Sequence, residues 1–138
     1  MASCSPPRPD PLKVLLVEDS PLLREMMAEM LEELPEIRLV EEVDGEARAL
    51  ACLEAQPVDL AIVDLELKEG SGFGILRQLQ ARPEHYGHPR AVVFSSYSHA
   101  AVRQRCAALG AEAFFDKAQG LEALVDFVQS AAQSASGP

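Results

Sequence analysis

The chain has 138 residues, 48% apolar and 25% charged, enough for one domain with a single core and too little for two ordinary ones. Its 22 acidic residues outnumber 12 basic ones, and a formal charge of -10 repels a polyanion, which excludes nucleic acid held through its phosphates. No apolar run approaches the ~18 residues of a membrane span, and the start M-A-S-C-S-P-P lacks the apolar core of a signal peptide, so the chain is expected in the cytoplasm.

Residues 1–11 are proline-rich and read as a disordered lead, and 133–138 as a disordered tail, leaving 12–132 as one folded unit. Residues 12–17 (L-K-V-L-L-V) read as a buried strand that ends on Glu18 and Asp19. Ser20 then suits a helix cap and Pro21 the first helical turn. That helix carries Leu23, Met27, Met30 and Leu34 on one face and ends before Pro35. Residues 37–43 form a weaker second strand, and Asp44 and Gly45 open a helix that runs to about Ala55.

The run 58–66 (V-D-L-A-I-V-D-L-E) is apolar on both sides up to Asp64, the habit of a central parallel strand covered on both faces. A loop over 68–72 leads to a third helix with Phe73, Leu76 and Leu79. The segment 83–89, with His85, Tyr86 and His88, is polar and punctuated by proline, so it reads as a surface loop. A fourth strand spans 91–94, a fourth helix 98–109 closes at Gly110, and a fifth strand covers 113–115. The last helix, about 119–131, repeats Leu121, Leu124, Val125 and Val128 at one-faced spacing. Arg103 and Arg105 are expected to be solvated on the fourth helix. Cys4, Cys52 and Cys106 show no metal-ligand spacing and read as reduced thiols, the last two packed.

Five strands alternating with five helices imply right-handed crossovers and a parallel sheet covered on both faces. The expected architecture is a doubly wound sheet, with the first and third strands taken as adjacent. Ligands of such sheets bind outside the carboxyl ends of the strands. The groups at those ends are Glu18 and Asp19, Asp64, Ser95 and Ser96, and Asp116 with Lys117. Converging carboxylates repel one another, and a hard cation such as Mg2+ (or Mn2+) relieves that repulsion while leaving positions for water and phosphate oxygens. A serine hydroxyl and a lysine ammonium supply the donors that hold a phosphoryl group.

With these residues in place the sequence resembles the receiver domains of two-component response regulators. The likeness rests on V-L-L-V-E-D-S, V-D-L-A-I-V-D-L-E-L, V-V-F-S-S and A-L-G-A-E-A-F-F-D-K, and runs over 12–131. It implies a flavodoxin-like (βα)5 doubly wound sheet in strand order 2-1-3-4-5, with Asp64 as the phosphoacceptor, served by a histidine kinase or a histidine phosphotransfer protein. It implies a metal site of Asp19 and Asp64, Glu18 acting through water, and the backbone carbonyl of Glu66. Ser95, beside Ser96, would be the switch hydroxyl, Phe114 the switch aromatic, and Lys117 the partner of the phosphate. The side chain of Glu66 and Tyr97 match positions that tune dephosphorylation.

Four features depart from the common family pattern: Glu18-Asp19 replaces the commoner Asp-Asp, Lys68 replaces a frequent proline, Ala118 follows Lys117 where proline is usual, and Glu66 and Tyr97 stand two residues after Asp64 and Ser95. The implied output is a downstream protein met by the fourth helix, fifth strand and fifth helix of a monomer or weak dimer, without a DNA-binding domain. The alternatives are a receiver cut from a larger regulator or hybrid kinase, a receiver that works without phosphorylation, and a haloacid-dehalogenase-type phosphatase. The last needs an acid/base aspartate where Glu66 stands.

Overall fold

Five parallel strands stand in the order 2-1-3-4-5 in the computed structural model, which describes residues 10–135. The elements are β1 (Leu12–Val17), α1 (Pro21–Glu32), β2 (Ile37–Val43), α2 (Glu46–Ala55), β3 (Leu60–Val63), α3 (Gly72–Ala81), β4 (Arg90–Ser95), α4 (Ala100–Ala108), β5 (Phe114–Asp116) and α5 (Leu121–Ala135). The flavodoxin-like fold expected from the sequence is the one observed. Most of the lead, residues 1–9 with Cys4, and residues 136–138 of the tail lie outside the described residues.

The period of two along each strand divides the core into two layers. Leu15, Val17, Ala61, Val63 and Val93 face Ala49, Cys52, Leu53, Ile75, Leu76 and Cys106 of α2, α3 and α4. Val14, Leu16, Leu60, Ile62, Val92 and Phe94 face Met27 and Leu31 of α1 and Leu124 and Val128 of α5. The strands nearest the centre are therefore buried on both sides. Among the described residues no helix is long and apolar enough to cross a membrane.

Four local expectations change. The buried stripe of α1 is Met27, Ala28 and Leu31, with Leu23, Met30 and Leu34 only partly covered. Tyr86 is buried against the α2–α4 layer although its loop is polar; Gly87 and His88, at φ 79° and 57°, turn the chain beside it. The helix α5 continues through Ala135, beyond the boundary expected at 132, since Ala131 and Ala132 still pack on the sheet. Arg103 and Arg105 are not merely solvated: their guanidinium groups lie 4.7 Å and 4.2 Å from the ring centroids of Phe114 and Phe73. Cys52 and Cys106 are buried free thiols, and burial pushes both pKa values up.

Candidate functional site

Strand register brings the acidic groups together. Val17 pairs with Val63, so Glu18 and Asp19 leave β1 at the level where Asp64 leaves β3. Ser95 pairs with Asp116 at the end of β4, which sets Lys117 beside the same rim. The backbone ladder runs on past the strands: Asp64 N donates to Val17 O at 3.0 Å and Lys117 N to Ser95 O at 3.1 Å.

One oxygen from each of Glu18, Asp19 and Asp64 lies within 4.8 Å of the other two. Glu18 and Asp64 are buried, an expensive place for two carboxylates. Lys117 offsets that cost: its Nζ donates to Asp64 Oδ2 at 2.8 Å and to Glu18 Oε2 at 3.0 Å. Ser20 N donates to the same Glu18 oxygen at 3.1 Å, and Glu66 N reaches Asp64 Oδ1 at 3.4 Å.

Burial pushes the Asp64 carboxyl up to about 7, with the Glu18 charge adding to the rise and Lys117 opposing it. For Lys117 burial alone favours the neutral amine, but the carboxylates of Asp64 and Glu18 outweigh it and leave the pKa raised. A carboxyl whose pKa is raised by burial while in contact with a fixed cation is an arrangement common to functional sites and structural ion-pair networks.

The donor set is hard oxygen throughout, which fits a small divalent cation held by carboxylates and water. Among the described residues Lys117 is the cation paired with the two buried carboxylates, and three carboxylates against one ammonium leave a net negative charge that such an ion would neutralise.

Other expected residues occupy distinct places. Ser95 is fully buried and its Oγ accepts from Tyr97 N at 3.0 Å, whereas Ser96 is exposed. Tyr97 is 44% exposed, its ring edge-on to His99, and the Glu66 side chain is also exposed. Phe114 is half-buried against the α2–α4 layer.

A family model described as the response regulator receiver domain matches residues 14–129. The chain belongs to the response regulator receiver family. The receiver is 29% identical over 119 residues to the Fimbriae Z protein of Salmonella typhimurium, covering 86% of this chain and 55% of that protein. It is 36% identical over 115 residues to a protein-glutamate methylesterase/protein-glutamine glutaminase of Symbiobacterium thermophilum, covering 80% of this chain and 30% of that one. The receiver thus spans about half the length, or less, of these curated relatives. Among solved structures it superimposes on a DNA-binding response regulator of the LuxR family from Staphylococcus aureus with a TM-score of 0.78 at 16% identity, covering 88% of this chain and 98% of the other.

Two contacts at the receiver's rim escaped the sequence reading. Arg24 Nη1 donates to the backbone oxygen of Glu18 at 2.8 Å, fastening the loop that carries Glu18 and Asp19. Arg24 N closes the first helical turn onto Ser20 O, which sets this residue above that loop. At Ala118, where the family pattern favours proline, the backbone N–H donates to Asp116 Oδ1 at 2.8 Å, and Asp116 Oδ2 accepts from Ser98 Oγ at 3.0 Å. A proline there has no N–H to give. The departure thus supplies a donor that helps join the β4–α4 loop to the end of β5.

Proposed function

We propose that this receiver accepts a phosphoryl group on Asp64 from a histidine kinase or histidine phosphotransfer protein and converts it into a changed protein-binding face. The observation that carries the reading is the Asp64 carboxylate, buried at a strand end and touched by Lys117 at 2.8 Å, with two further acidic residues beside it. In the transfer, an Asp64 oxygen forms a bond to phosphorus while the bond from phosphorus to the donor nitrogen breaks, its electron pair leaving with the imidazole.

Glu18, Asp19, Asp64 and the backbone carbonyl of Glu66 are assigned to Mg2+ (or Mn2+), which when bound neutralises the phosphoryl oxygens. Lys117 pairs with the phosphate, and Ser95, next to Ser96, turns its hydroxyl toward it. Phe114 then moves into the space behind β4 and redraws the face of α4, β5 and α5, a local charge change read by a two-state element. The side chains of Glu66 and Tyr97 govern the access of water to the acyl phosphate. The reader of the face is a protein surface, on a separate chain or an attached domain, in the cytoplasm, where thiols such as Cys52 and Cys106 stay reduced.

Intact mass after incubation with acetyl phosphate tests the assignment. The expected result is a Mg2+-dependent gain of one phosphoryl mass, absent in Asp64→Asn. An adduct that survives in Asp64→Asn overturns it, as does no adduct in the wild type.

A further inference from the structure

Two carboxylates outside the rim exchange places between neighbouring helices. Glu46, the first residue of α2, reaches the start of α3, where its Oε1 accepts from Ser71 N at 2.9 Å. Glu69, just before α3, reaches back to α2, where its Oε1 accepts from Ala47 N at 3.0 Å. The backbone repeats the exchange: Glu46 N donates to Glu69 O at 3.0 Å, and Lys68 N to Asp44 O at 3.3 Å. Each carboxylate sits at the N-terminus of the other's helix, where unpaired amides and the helix dipole favour negative charge.

What lies between them is the loop 66–71, which follows Asp64 directly. It is pinched shut by a bridge between Glu66 and Ser71 and by Gly72 N donating to Leu65 O at 3.0 Å. One glycine of the loop and one in the first turn of α3 are required by the clasp. Gly70, at φ 72°, and Gly74 each leave room for the Glu46 side chain, which a Cβ at either position would strike.

We propose that Glu46 and Glu69 are positioning residues for the metal site, holding the loop 66–71 so that the carbonyl of Glu66 is presented beside Asp64 and Asp19. The proposal rests on the metal assignment made above. It also joins β2 and α2, which contribute no group to the rim, to the affinity of the rim for its ion.

The test is calorimetric titration of Mg2+ into the wild type, Glu46→Ala, Glu46→Gln and Glu69→Ala, with hydrogen exchange of the 66–71 amides measured without metal. Loss of a partner that orients a ligand costs about tenfold in metal affinity, so Glu46→Ala is expected to raise the Kd about tenfold and to speed exchange through the loop. Glu69→Ala shifts both in the same direction by less, since its bond is exposed. Glu46→Gln keeps an oxygen for Ser71 N and restores near-wild-type affinity. An unchanged Kd in Glu46→Ala overturns the proposal, as does a Gln variant as weak as Ala, which would make charge rather than position the cause. If Glu46→Ala does not fold, an unchanged Kd in Glu69→Ala overturns it alone. A wild type that binds no Mg2+ removes the metal assignment and the proposal with it, an outcome distinct from equal binding by all variants.

Discussion

The guanidinium of Arg103 lies 4.7 Å from the ring centroid of Phe114, joining α4 to β5 at the side chain assigned as the switch aromatic. The same arginine donates from Nε to Ser98 O at 3.1 Å, and Ser98 is bonded to Asp116. These contacts matter because α4 buries only Cys106. A helix with so little buried surface opens at low cost. It is held at its start by polar and cation–π contacts rather than by a core stripe.

Arg103→Ala is therefore expected to lower stability by about 0.5–1 kcal/mol, the worth of an exposed cation–π contact. The larger effect is local: amide exchange should accelerate over Ala100–Ala108 and not over α5. Unaltered protection in α4 would show that Arg103 does not hold it.

Lys117 is the ion-pair partner of two buried carboxylates, so Lys117→Met should destabilise the metal-free protein by about 3–5 kcal/mol. Part of that loss should return on adding Mg2+, because an ion bound only by the folded chain stabilises it by mass action. Urea unfolding with and without Mg2+ measures both effects. A stability loss indifferent to Mg2+ would speak against a cation held by these carboxylates.

The raised pKa of Asp64 has a definite sign. Between the ordinary value of 3.8 and about 7, the folded chain keeps a proton that the unfolded chain has released. The contribution of Asp64 to stability therefore falls as pH rises through that window and levels off above about 7, at a slope of at most about 1.4 kcal/mol per pH unit. Lys117, raised above its usual 10.5, adds no slope in this range. Comparing wild type with Asp64→Asn, without metal, at about pH 5 and about pH 8 isolates the effect. The difference between the two proteins should change with pH, and a constant difference would contradict the assignment.

Glu66 and Tyr97 both present exposed side chains near the rim, one following Asp64 and the other bonded through its backbone to Ser95. Glu66→Asn and Tyr97→Ala are expected to change the rate at which the phosphorylated protein loses its phosphoryl group, followed by intact mass over time. Identical decay in both variants and the wild type would remove these positions from control of water access.

The sequence by itself determined the strands and the groups that follow them, and its resemblance to receiver domains supplied the strand order that brings Glu18, Asp19, Asp64 and Lys117 to one rim. That legibility has a physical basis. Apolar runs covered on both faces declare parallel strands, and the carboxyl ends of parallel strands share one edge of the sheet, so groups that follow neighbouring central strands lie close together. Only the tertiary structure decided the contacts that depend on the path of a loop or the reach of a long side chain. The exchange between Glu46 and Glu69, the grip of Arg24 on the Glu18 carbonyl and the seating of Arg103 and Arg105 on Phe114 and Phe73 all belong to this group. Tyr86 belongs with them, buried from within a polar loop. Gly72 shows the division within one residue: it reads as part of a turn, yet a Cβ there would strike the main-chain oxygen of Asp64. Periodicity reports which face of an element is apolar. It carries no information about which atoms from distant segments come to share the same few ångströms.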